Sequence, residues 1–211
     1  MPSLTILYTA NLQADFDLMP RVFSTIQRVR RSLPDGGWPF LLLDLGGACN
    51  TDTWICQATE NRAPYLVLDA MGYNAVRADG LDRAGIMSLQ PAVQLRLLDD
   101  RMVYRWQWQD MSVNIGPRGE KPAITWTIAA TSTQAEESAD FFIAEGGRVT
   151  LFLLKGELGM IQLVWPEMEV VAARCIAFDD PVRRDPTIAA AIEFVEREAR
   201  FYAQRNQGTK E

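Results

Sequence analysis

The sequence predicts a single α/β domain with a β-α-β start, a strand-rich second half and a closing helix. Three observations carry that prediction. Short apolar runs of strand length alternate with segments of helical period over residues 4–79. After Leu89 the apolar runs follow one another without obvious helices between them. Near the end, Asp185 and Pro186 open a segment whose apolar residues recur every three or four positions.

Taken in order, "LTILYT" at 4–9 is apolar and β-branched, the composition of a strand, and the polar stretch 11–17 follows as a loop. Leu18, Val22, Ile26, Val29 and Leu33 then mark one face of a helix, which "PDGG" at 34–37 stops. "FLLLDLGG" at 40–47 is a continuous apolar run ending in Asp44 and two glycines, as expected of a central strand buried on both faces. A second helix is expected over 61–71 and a third strand over 72–79. Strand, helix, strand, helix, strand in this compass is the pattern of right-handed β-α-β units. Beyond Leu89 the strand-like runs are "VQLRLL", "MVYRWQWQ", "AITWTIAAT", "RVTLFLL", "MIQLVW" and "EVVAARCIAF", which read as largely antiparallel sheet. Residues 132–142 read as a short helix or a loop. The last helix places Ile188, Ala191, Ile192, Val195, Ala199 and Tyr202 on one face, with Asp185 as its cap. The domain is expected to span residues 1–205, with a disordered tail at 206–211.

Composition narrows the functional classes. With 211 residues, 48% of them hydrophobic, the chain can bury a core without staples. Three cysteines with no C-x-x-C pair argue against a disulfide framework and a thiolate zinc site, so reduced thiols in the cytoplasm are expected. The N-terminus lacks the basic and apolar regions of a signal peptide, and no run approaches the ~20 apolar residues of a membrane span. A net charge of -6 disfavours a nucleic-acid backbone as partner. The chain contains no histidine, which removes Ser-His-Asp, Cys-His and histidine-metal mechanisms together.

Three stretches carry a resemblance. "ILYTANLQA" at 6–14, "LLLDLGGACNT" at 41–51 and "LDAMGYNAVRADGLD" at 68–82 match in order, spacing and apolar framework the opening motifs of one enzyme group. "GELGMIQLVW" followed by "DDPVRRDPTIAAAIEFVEREARFY" is similar to the close of the same domain. The chain thus resembles the calcineurin-like metallophosphatases of the 5'-nucleotidase branch at both ends, with a weaker match over 90–147. The resemblance implies a metallophosphatase-like β-sandwich core flanked by helices. It also implies a two-metal site, which needs a bridging carboxylate and several imidazoles. Here the positions that match the ligands hold Asn11, Gln13 and Gly47, with Asp79 the nearest stand-in for an asparagine ligand. Asp44 matches a residue of the outer shell. The family's nucleoside-gripping domain has no counterpart after the closing helix, so nucleotide binding is not expected either.

The resemblance therefore implies a catalytically inactive protein that acts as a binding or assembly module and uses no cofactor. An alternative from the enzyme class is a residual phosphoesterase holding magnesium or calcium on Asp44, Asp79 and Asp82. Against it, strand-end aspartates commonly cap loops, and these could pair with Arg77 and Arg83. "DLGGACN" at 44–50 lacks the G-K-[ST] of a phosphate loop. Cys49 and Cys56 have no cationic neighbour in sequence and read as idle thiols. Tyr104, Trp106 and Trp108 alternate along one strand, a pattern open to three readings: core, protein interface or stacking platform. With Trp106 and Trp108 outward, that strand would need a protein partner or a second copy to cover it.

Overall fold

Strand β1 (Ser3–Thr9) is buried at every position, because both of its faces carry apolar side chains and both are covered. Leu4, Ile6 and Tyr8 point into one apolar cluster, while Leu7 points into another. Strand β2 (Phe40–Asp44) repeats the pattern, with Leu41 and Leu43 on the first side and Leu42 on the second. A period of two thus feeds two cores from one sheet.

The computed structural model describes residues 3–33, 39–109, 111–116, 124–130, 137–143, 147–153, 155–164, 169–177 and 183–207. The "PDGG" stop, residues 132–136 and residues 208–211 lie outside them.

The first sheet has six strands in the order β11-β10-β1-β2-β3-β4. Its strands β3 (Ala75–Arg77) and β4 (Arg96–Leu98) run parallel to β1 and β2. Strands β10 (Leu158–Val164) and β11 (Glu169–Ile176) complete it in the antiparallel sense. Tyr8 pairs with Gly159 across the β1–β10 seam, and the Tyr8 ring fills the space a side chain on residue 159 would need. The second sheet contains β5 (Tyr104–Trp108), β6 (Met111–Gly116), β7 (Ile124–Ala130), β8 (Glu137–Ile143) and β9 (Gly147–Leu153), in that order. Among the described residues only the β6–β7 pair is parallel there.

Among the described residues five α-helices connect and cover the first sheet: α1 (Met19–Ser32), α2 (Trp54–Ala58), α3 (Ala63–Ala70), α4 (Arg83–Leu89) and α5 (Pro186–Gln207). Val22 and Ile26 of α1, Val67 and Leu68 of α3, Ile86 of α4, and Ile188 and Ile192 of α5 all enter the cluster on its outer face. The cluster on the opposite face joins Leu4, Ile6, Leu41 and Leu43 to Trp106, Val113, Ile115 and Leu153 of the second sheet. Among the described residues the architecture is therefore mixed α/β in three layers: helices, mixed sheet, second sheet. No described helix reaches the cluster between the sheets, so the helices flank the sandwich on one side.

Several elements differ from the sequence reading. Helix α2 and helix α4 are additional, each too short to set up an apolar period of its own. Strand β6 is a separate strand after the β5 turn. Residues 137–143 are strand rather than helix or loop, since β7 and β9 pair with them from both sides and pairing outweighs local propensity. Helix α5 starts as expected: Asp185 Oδ1 accepts from the Thr187 and Ile188 amides at 2.9 and 3.2 Å. It continues through residues 206 and 207 and outruns the core, leaving Tyr202 53% exposed.

The aromatic strand faces inward. Trp106 is only 6% exposed and packs between the sheets, and Tyr104 is half-buried beside it, with the Arg96 guanidinium 6.0 Å from its ring centre. The outward expectation fails at Trp106 because the second sheet needs an apolar inner face. The Trp108 side chain lies outside the described residues.

Candidate functional site

The parallel strands β1, β2 and β3 end at one edge, and their loops meet there. Pairing continues past the strands: Leu45 N–H donates to Thr9 O at 2.9 Å, Asn11 N–H to Gly46 O at 2.9 Å, Gln13 N–H to Gly47 O at 2.8 Å and Ala14 N–H to Ala48 O at 2.7 Å. Following the partner loop this closely forces an unusual backbone. Asn11, Gln13 and Ala14 all adopt left-handed conformations, with φ of 56°, 52° and 55°. Such residues cost on the order of 1–3 kcal/mol each and concentrate at functional sites.

Asn11 and Gly47 define the centre of this edge. A side chain on Gly47 would run into Asn11 Oδ1 and come within 3.0 Å of Asn11 Cα. The Gly47 amide is also engaged, donating to Asp79 Oδ2 at 3.0 Å and Oδ1 at 3.3 Å. Asn11 is buried, whereas Gln13 is exposed.

Asp44 lies beneath them, fully buried. Its Oδ2 accepts from Thr9 Oγ1 at 2.6 Å, and its Oδ1 from the Gly46 amide at 3.1 Å. Thr9 Oγ1 also stands 2.8 Å from the Tyr73 hydroxyl. Burial pushes the Asp44 carboxyl up to about 8; the Thr9 and Gly46 hydrogen bonds oppose the rise and the neighbouring Asp79 charge adds to it. Burial, then the Asp44 charge, raises the Tyr73 phenol well above its ordinary range. Burial and the Asp79 charge raise Tyr65 likewise. A carboxyl that remains protonated near neutrality is a poor metal ligand.

The three aspartates have separate tasks. Asp44 ties β1 to β2 from below, and Asp79 holds the Gly47 amide. Asp82 caps α4, accepting from the Gly85 amide at 2.7 Å. Arg77 pairs with Asp100 at 2.9 Å rather than with any of the three. Among the described residues no three Asp, Glu or Cys side chains converge as a metal site. The donor set present, with one amide side chain packed over Gly47, does not fit a two-metal centre.

Cys49 and Cys56 form a disulfide, with Cα atoms 6.5 Å apart. This corrects the expectation of idle, reduced thiols. The loop after β2 folds back onto α2, a geometry that spacing alone does not announce. Asn61, left-handed at φ 64° beside Glu60 at φ 50°, links the bridge to the next loop. Its amide donates to Cys56 O at 2.7 Å, its Nδ2 donates to Gly80 O at 2.8 Å, and its Oδ1 lies 3.2 Å from Cys49 Sγ. The Gly80 amide donates to the Tyr65 hydroxyl at 3.1 Å. A cleft of about 640 Å³ opens here, lined by Glu60, Asn61, Arg62, Leu81, Asp82 and Ser88. Cys175 lies exposed on β11, outside the disulfide.

Sequence reasoning singled out none of Thr9, Tyr73 and Asn61, although the first two lie within the stretches 6–14 and 68–82. Thr9 alone had a usable signal, since it ends β1 opposite Asp44 at the end of β2. No protein-family model matches the chain, and no curated protein matches it.

Proposed function

We propose that this chain is a catalytically inactive relative of the metallophosphatases of the 5'-nucleotidase branch, retained in the cytoplasm as a binding or assembly module. The observation that carries the reading is the Asn11 side chain over Gly47, at the position where the resemblance calls for a bridging carboxylate. A protonated Asp44 and the absence of histidine from the sequence support it. The partner is a protein or a second copy. Net charge of -6 argues against nucleic acid, and no described helix is long and apolar enough to cross a membrane. Phe194 and Phe201 support the binding role: they lie seven residues apart on α5, 54% and 60% exposed.

The competing reading, a residual phosphoesterase, needs Asp44, Asp79 and Asp82 on one magnesium or calcium ion, and Asp82 is already committed to capping α4. Purified protein assayed against a phosphate ester with manganese, magnesium or calcium decides between them. The proposal expects no turnover above the metal-only blank. Turnover that disappears in Asp44→Ala or Asp79→Ala would overturn it. Light scattering across a concentration series tests self-association.

A further inference from the structure

We infer that the Cys49–Cys56 bridge is a redox-sensitive tie that sets the shape of the cleft beside Asn61. The bridge lies behind the cleft wall: Asn61 and Gly80, which line the cleft, lie against Cys49, while Cys56 belongs to the core cluster on the helix side. A Cβ on Gly80 would lie 3.0 Å from Cys49 Cβ and 3.0 Å from the Tyr65 hydroxyl, so the Gly80 loop is pressed directly against the bridge. Asn61 couples the two through its bonds to Cys56 O and Gly80 O. Glu60 and Asn61, consecutive in left-handed backbone, are held there by these contacts. Once they loosen, both residues gain by returning to the right-handed or extended regions.

Access to the two sulfurs is unequal. Cys49 is half-buried, while Cys56 is fully buried, so an external thiolate reaches Cys49 Sγ first. A cellular dithiol is the reductant. Its thiolate bonds to Cys49 Sγ, the Sγ–Sγ bond breaks, and Cys56 leaves with the electron pair and takes up a proton. The reductant's second thiol then attacks the mixed disulfide and releases Cys49 as a thiol. Two electrons pass to the protein and the dithiol becomes a disulfide. In a reducing cytoplasm a bridge is more often transient and redox-sensing than structural. The inference does not depend on whether the chain hydrolyses phosphate esters.

The test uses full-length Cys175→Ser protein, so that only this pair is read. Thiol titration of the unfolded, oxidised protein should find no reactive thiol before dithiothreitol and both afterwards. Amide hydrogen exchange should then accelerate about tenfold or more at Asn61 and Gly80 on reduction, and by less at Leu42 and Leu43 in β2. Cys49→Ser should reproduce the reduced pattern without reductant, and it serves if Cys56→Ser fails to fold. Free thiols at both positions in the oxidised protein would overturn the inference. So would exchange at Asn61 and Gly80 that rises no more than in β2.

Discussion

Asn11 occupies the space that any side chain on residue 47 would have to enter. The two positions lie on different loops, yet residue 47 cannot gain a side chain while Asn11 keeps its own. Gly47 has φ +67°, so a Cβ there meets both strain and a neighbour. Gly47→Ala should destabilise the protein by about 2–4 kcal/mol. In an Asn11→Gly background the same change should cost at least about 1 kcal/mol less. Urea denaturation of the four proteins gives the coupling, and additive effects would show that the contact does not govern this edge.

Asp44 gives stability a distinctive pH dependence. Its carboxyl titrates near 8 in the folded protein and near 3.9 when unfolded. Between those values the folded state holds a proton that the unfolded state has lost, so stability falls as pH rises, by up to about 1.4 kcal/mol per unit. Asp44→Asn mimics the protonated acid: its oxygen can face the Gly46 amide and its NH₂ the Thr9 hydroxyl. The variant should lack this slope and gain on the wild type from pH 5 to 8. Parallel curves for the two proteins would place Asp44 in a more solvated setting.

Asp82→Ala removes the cap on α4 and should cost about 1 kcal/mol. The loss should be the same with and without millimolar magnesium, calcium or manganese, measured by thermal unfolding. A loss seen only with one of the ions present would assign Asp82 to a cation instead.

Trp106→Ala opens a cavity between the sheets and should cost about 3–5 kcal/mol. Its oligomeric state by light scattering should match that of the wild type. A folded, equally stable variant with altered association would return this side chain to an interface.

The chain's parallel core was legible because β2 is a continuous apolar run and β1 carries only apolar and small hydroxyl side chains besides Tyr8, a composition that suits a covered central strand. Asp185 announced α5 through cap chemistry that acts within three residues. The second sheet was harder to read. Residues 137–143 contain Glu137, Ser138 and Asp140, and become strand only because β7 and β9 lie alongside. Trp106 has the same alternation whether it faces water or a second sheet, and its direction is decided by a partner sheet the local sequence does not reveal. At the strand ends, the resemblance pointed to Asn11, Gly47, Asp44 and Asp79, and these do converge. The magnesium or calcium alternative placed Asp82 with Asp44 and Asp79, whereas that side chain turns to the start of its own helix. The Cys49–Cys56 bridge was missed because three cysteines without a close pair argue statistically for free thiols, while bonding depends on how one loop folds back.

The seam between Tyr8 and Gly159 has a consequence for the order of assembly. β1 lies between β2, its near neighbour in sequence, and β10, which is made much later in the chain. A ribosome therefore releases the β1–β2–β3 half with one long edge unpaired, every residue of which is buried in the finished fold, waiting for residues 158–164. Such an edge is a template for pairing with other nascent chains. Non-local closure of this kind also slows folding, so aggregation during synthesis should depend on how soon β10 arrives to lay Gly159 under the Tyr8 ring.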